Sequence, residues 1–141
     1  MKWLKHGQGK RGKQVYIAAY DGDTLHSSRA PKGMRKGRVQ STRLMHYNSP
    51  EIESVHRKGQ PGGQTAKAAL HGLLLRGMRV KDSGRTDIHK RRLAEGTLKN
   101  APIGERRSVA ARMVSLGLAT PHRGSPKYKE LNILKKHAQA K

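Results

Sequence analysis

Apolar residues Ala66, Ala69, Leu70, Leu73 and Leu74 recur at helical spacing, which predicts an amphipathic helix from about Thr65 to Arg76 with one buried stripe. Gly77 stands where a left-handed residue would end that helix. Met78-Arg79-Val80 then alternates as a strand does, Asp82-Ser83-Gly84 carries a turn signal, and Arg85–His89 supplies a return strand. Further along, the same order comes back. A helix from about Glu105 to Leu116 presents Val109, Ala110, Met113 and Val114, and Gly117 ends it. Leu118–Thr120 extends, Pro121–Pro126 turns and Tyr128–Leu131 returns. The pairing of Gly77 with Gly117 and of Gly84 with Gly124 suggests an internal repeat. Ahead of the first unit, Ser49-Pro50-Glu51 reads as the start of a shorter helix. A hydroxyl cap is followed by proline at the first helical position and by an acid at the positive end of the dipole.

The chain before residue 48 shows no such periodicity. Lys5–Lys13, with Lys10, Arg11 and Lys13, is a flexible Gly/Lys/Arg strip. Val15–Tyr20 predicts a strand closed by the turn Asp21-Gly22-Asp23. From Ser27 to Arg43 the chain returns to Arg, Lys, Gly and Ser around Pro31, and Arg35, Lys36 and Arg38 make it either a phosphate-tracking arm or a solvated linker. Three parts are expected: 1–47 as a basic arm, partly extended or disordered when free; 48–90 as a helix-and-hairpin unit; and 91–141 as a second, looser helical unit with a basic tail. The expected fold class is mainly α with short β-hairpins.

Charge narrows the partner. Lys and Arg number 31 against 9 Asp and Glu, a formal net charge of +22. Such a surplus draws in a polyanion at long range, and a nucleic acid gains by releasing its condensed counterions to Lys and Arg. Apolar residues are sparse and Phe is absent, so a modest core with arms ordered on a partner is expected. The lack of cysteine removes disulfides, Cys-based zinc sites and thiol catalysis. The apolar stretch Ala68–Leu75 is too short to span a bilayer, and the N-terminus has no apolar region for a secretion signal. An intracellular protein of cytoplasm or nucleoid, with no membrane partner, is expected. The histidines show no metal-ligand spacing and there is no phosphate-binding loop. Asp21-Gly22-Asp23 and Asp87-Ile88-His89 could each bring two groups to a metal-dependent nuclease, but both also make sense as turns. The expectation is therefore a non-enzymatic protein with no catalytic residue, metal or cofactor.

Helix, glycine stop, strand, basic turn and return strand is the order at the back half of a winged helix. Gln64–Val80 resembles the recognition helix and first wing strand of winged helix-turn-helix DNA-binding proteins, and Ser108–Ala119 resembles a second, looser copy. The resemblance implies one or two small winged-helix-like units beside the extended basic N-terminal arm, with a helix in the major groove and a wing on the adjacent backbone or groove. Lys67, His71 and Arg112 would then lie near bases, and Arg79, Lys81, Arg85 and Arg123 near phosphates, with Arg107 and Lys127 as further cations. The expected function is a duplex DNA-binding transcriptional regulator. The alternative is an RNA-scaffold protein, such as a ribosomal component on rRNA, which the same charge would suit.

Overall fold

The computed structural model describes residues 4–9, 12–29, 38–53, 58–99 and 108–140. An antiparallel meander begins the chain: β1 (Leu4–Gly9), β2 (Gly12–Ala19), β3 (Thr24–Arg29) and β4 (Arg38–Leu44). After the short β5 (Tyr47–Asn48) and helix α1 (Gly63–Leu75) come β6 (Met78–Thr86) and β7 (Arg92–Leu98). These two pair antiparallel, and β7 joins β4 in parallel, giving one sheet of order β1-β2-β3-β4-β7-β6. The strands at the two ends of that order, β1 and β6, touch, so the sheet curls into a barrel-like form. Helix α2 (Val109–Ser115), the short β8 (Thr120–Pro121) and helix α3 (Tyr128–Gln139) follow, with β5 and β8 forming a second, two-stranded sheet.

One buried face assembles these parts. Leu25 and Thr42 are register partners across β3 and β4, Leu44 and Ala94 across β4 and β7, and all four are fully or almost fully buried. On β6 the inward positions Met78 and Val80 are buried and the outward Arg79 and Lys81 are exposed, the alternation of a half-solvated strand. Helix α1 lays Ala66, Leu70, Leu73 and Leu74 on this core, while α2 adds Val109, Met113 and Val114 and α3 adds Leu131. Ser108 caps α2 by accepting a hydrogen bond from the Ala111 N–H at 3.2 Å. No helix among the described residues is long and apolar enough to cross a membrane.

This architecture corrects the expected mainly α class. Winged-helix-like units are not formed, because the strand after α1 enters a six-stranded sheet with the four N-terminal strands and β7. The supposed turn Asp82-Ser83-Gly84 is an irregularity within β6, where the Gly84 N–H bonds Asp82 Oδ1 at 2.9 Å, and the return strand is β7. Ser49-Pro50-Glu51 starts no helix over 49–53, since the Ser49 N–H is given to Asp23 and the Glu51 N–H to Gln60. Tyr128–Leu131 is the first turn of α3. The apparent repeat dissolves as well: α1 is followed by a long hairpin, α2 by two residues of strand and a helix. Strands from 1–47, 48–90 and 91–141 share the one sheet, and β5 straddles the first of these boundaries.

Candidate active site

The turn between β2 and β3 builds one side of the site. Asp21 Oδ1 accepts the Asp23 N–H at 3.1 Å, and Asp23 Oδ1 accepts from the Thr24 hydroxyl at 3.0 Å. Gly22 lets this turn press against the core, because a Cβ there would stand 2.6 Å from both the Ala66 and Ser49 Cβ atoms. Tyr47, fully buried, donates its hydroxyl to the Gly22 carbonyl at 2.7 Å. Burial, and secondarily the charge of Asp23, pushes the Asp21 carboxyl up to about 6.

Arg43, at the end of β4, crosses this corner. Its Nη1 pairs with Asp23 Oδ2 at 3.0 Å and donates to the Leu44 carbonyl at 3.0 Å, while Nη2 donates to Asn48 Oδ1 at 2.6 Å. Asp23 Oδ2 also accepts the Ser49 N–H at 3.0 Å, so one carboxylate fixes both the guanidinium and the chain that leaves β5. Past Pro50, Glu51 is held through its backbone: Gln60 Oε1 accepts its N–H, and its carbonyl accepts the Gln60 N–H, each at 2.8 Å.

Arg43 opens on to a cleft of about 390 Å³ that is also lined by Arg85 near the end of β6, by Asp87 in the β6–β7 connection, and by His122, Ser125 and Pro126 ahead of α3. Asp87 organises that connection. Its Oδ1 accepts the N–H groups of His89 and Arg91 at 2.9 and 2.8 Å, and its Oδ2 the Arg91 Nε–H at 2.7 Å. Burial pushes the Asp87 carboxyl up, but the bonds and charge from Arg91, with the His89 N–H, outweigh this and hold it below the ordinary value. Among the described residues no group of three or more His, Asp or Glu side chains is gathered to hold a metal ion. Asp23 and Asn48, the side-chain oxygens beside Arg43, are both engaged by it, and Asp87 on the cleft is engaged by Arg91, so this donor set does not fit a metal as it stands.

Among the described residues, Arg85 is the one cation named from the sequence that lines the cleft beside Arg43. Lys67 lies half-buried on α1 near His26, whose ring burial and the Lys67 charge hold below its ordinary value. His71 Nδ1 accepts the Ala19 N–H at 3.3 Å, so this ring ties α1 to β2. Arg79 and Lys81 are exposed on β6, Arg112 on α2, and Arg123 and Lys127 ahead of α3. Lys13 and Arg38 fall in β2 and β4, while Lys10, Arg11, Arg35, Lys36 and Arg107 lie outside the described residues. Arg43, Asn48 and Arg91 were missed. The signals present were the two aspartate turns, Asp21-Gly22-Asp23 and Asp87-Ile88-His89, and each proves to hold an arginine through its aspartate.

Comparison with curated proteins finds no match. A family model described as staphylococcal nuclease homologue matches residues 41–141, from β4 to the end of the chain. That match overturns the resemblance to winged helix-turn-helix proteins, in line with the curled sheet, and it keeps the nucleic acid as partner. It also overturns the expectation of a non-enzymatic protein, which rested on the lack of a dense carboxylate cluster, whereas the cleft here is lined by Arg43, which Asp23 holds, by Arg85 and by the single carboxylate of Asp87. With the greater part of its length under the match, the chain belongs to the staphylococcal nuclease family.

Proposed function

We propose that the protein hydrolyses phosphodiester bonds of a nucleic-acid chain at the Arg43 cleft. A phosphodiester entering it meets the guanidinium groups of Arg43 and Arg85, whose planar forks suit phosphate oxygens. In-line displacement at phosphorus gathers charge on the non-bridging oxygens, and cations already fixed in place stabilise that charge without reorganising. Arg43 is fixed in this sense by Asp23, Asn48 and Leu44, and Arg91 by Asp87, which engages its Nε and leaves its terminal nitrogens out of that pair.

The attacking water needs a carboxylate to take its proton. Glu51 follows Asn48 and Ser49 on the same corner, with its backbone clamped by Gln60, and takes that role.

One observation carries the reading: in a chain of a nuclease family, an arginine anchored on both sides by Asp23 and Asn48 faces a cleft shared with a second arginine. The test is incubation of the purified protein with end-labelled single-stranded DNA, duplex DNA and RNA at matched salt, followed by electrophoresis. Time-dependent shortening of at least one substrate is expected, and the relative rates rank the three. Binding of all three without any strand scission contradicts the reading.

A further inference from the structure

We propose that Ser125, His46 and Glu95 form a nucleophile, base and carboxylate set, a second reactive centre on the cleft wall that takes a phosphoryl group on to Ser125 Oγ. His46 Nδ1 lies 2.6 Å from Ser125 Oγ, and its Nε2 lies 2.5 Å from Glu95 Oε1. The roles follow from what each partner can do. Ser125 Oγ accepts the Lys127 N–H at 3.0 Å, which occupies a lone pair and leaves the hydroxyl proton to be donated to Nδ1. An ionised carboxylate only accepts, so Nε2 carries the ring proton toward Glu95. The bond from His46, foremost, holds the Glu95 carboxyl below its ordinary value, and Lys127 and Lys81 add to this. A hydroxyl donating to an imidazole that is oriented by a carboxylate is the arrangement that activates a serine.

Three features go beyond a tie between β7 and the start of α3. His46 has φ 84°, a conformation costly for a side-chain-bearing residue, and such strain gathers at functional positions. Its ring is almost wholly buried, whereas Ser125 is only partly so and lines the cleft with Arg43 and Arg85. Those guanidinium groups line the cleft into which a phosphoryl group on Ser125 would project. The capping bond from Lys127 uses only the acceptor side of Ser125, so it does not compete with transfer of the proton.

The step balances as follows. A lone pair of Ser125 Oγ forms the bond to phosphorus as the bond from phosphorus to its leaving group breaks, and the hydroxyl proton passes to His46 Nδ1. With a phosphodiester, the imidazolium returns that proton to the departing alkoxide. Water then attacks the phosphoserine, giving its proton to Nδ1, and the O–P bond to Ser125 breaks as Nδ1 returns that proton to Oγ. With a dialkyl fluorophosphate, fluoride leaves and the adduct persists.

The fluorophosphate is the probe, applied to the full chain and read by intact mass and peptide mapping. One dialkylphosphoryl adduct on Ser125 is expected. Ser125→Ala should abolish it, and Glu95→Gln and His46→Gly should each slow it about 10²-fold or more. Glycine suits the positive φ at 46, and Glu95→Gln keeps the side-chain shape, so at least one variant retains the fold by circular dichroism. No adduct at Ser125, or equal labelling rates in wild type and a folded variant, overturns the proposal. Nucleic-acid cleavage is not read, so failure here leaves the hydrolase reading standing, and labelling by a protein that cuts no strand upholds this centre alone.

Discussion

Two Asp–Arg pairs each place one member, Arg43 and Asp87, on one cleft and differ in what surrounds them. Arg43 and Asp23 are 16% and 10% exposed at the side chain, and their contacts run into β4, β5 and the β2–β3 turn. Arg91 and Asp87 are 33% and 16% exposed, four residues apart in one connection, and most of their bonds stay within it. The first pair belongs to the fold as much as to the chemistry, since removing either member leaves a charge with few other partners away from water. The second shapes a turn and aims a cation, and the sheet can form without it. The same chemical pair thus makes a structural joint where it is buried and an adjustable part where it is not.

The sharpest way to break this contrast is Arg43→Ala. Losing one partner of a mostly buried pair costs about 3–5 kcal/mol, so a large fall in urea midpoint is expected along with loss of cleavage. A variant as stable as wild type would place the two pairs in one class. Next comes Asp21→Asn, which probes the strain behind the buried pair. An acid whose folded-state value is raised from 3.8 to about 6 contributes its stability below about pH 4 and loses it as pH rises through about 6. The variant should gain up to about 3 kcal/mol above pH 6 and nothing at pH 4. Denaturation midpoints across that range check this, and a gain at acid pH instead would reverse the assignment. The smallest effect belongs to Asp87→Ala: about 1 kcal/mol of stability, with cleavage reduced about 10-fold as Arg91 loses its aim. Denaturation and steady-state kinetics measure both, and a stability loss matching that of Arg43→Ala would erase the distinction.

What the sequence disclosed follows the same division between local and distant contacts. The apolar stripe of α1 is legible because its spacing is local, and Ala66, Leu70, Leu73 and Leu74 are indeed its buried residues. Gly77 and Gly117 have φ 104° and 75°, as their positions after helices suggest. The sheet was not legible. Irregularities between Tyr16 and Ala18 and between Asp82 and Thr86 break the period of two, and the parallel pairing of β4 with β7 joins segments some fifty residues apart, about which spacing says nothing. Leu131 and Leu134, three apart with Lys136 and His137 behind them, did carry a helix signal, but the repeat drew Tyr128–Leu131 into a strand. At the site, the aspartate turns could be seen, whereas Arg43 was one more cation in a run of them. Its partner Asp23 lies across a hairpin and becomes visible only once β3 and β4 are paired.

Arg43→Lys, compared with wild type for both thermal midpoint and strand cleavage, tests the central claim most directly. Lysine keeps the charge opposite Asp23 but cannot span Asp23, Leu44 and Asn48 as the guanidinium does. The expected result is a folded protein, less destabilised than Arg43→Ala, whose cleavage rate falls about 10²-fold or more. A lysine variant that folds and cuts at the wild-type rate would contradict the account.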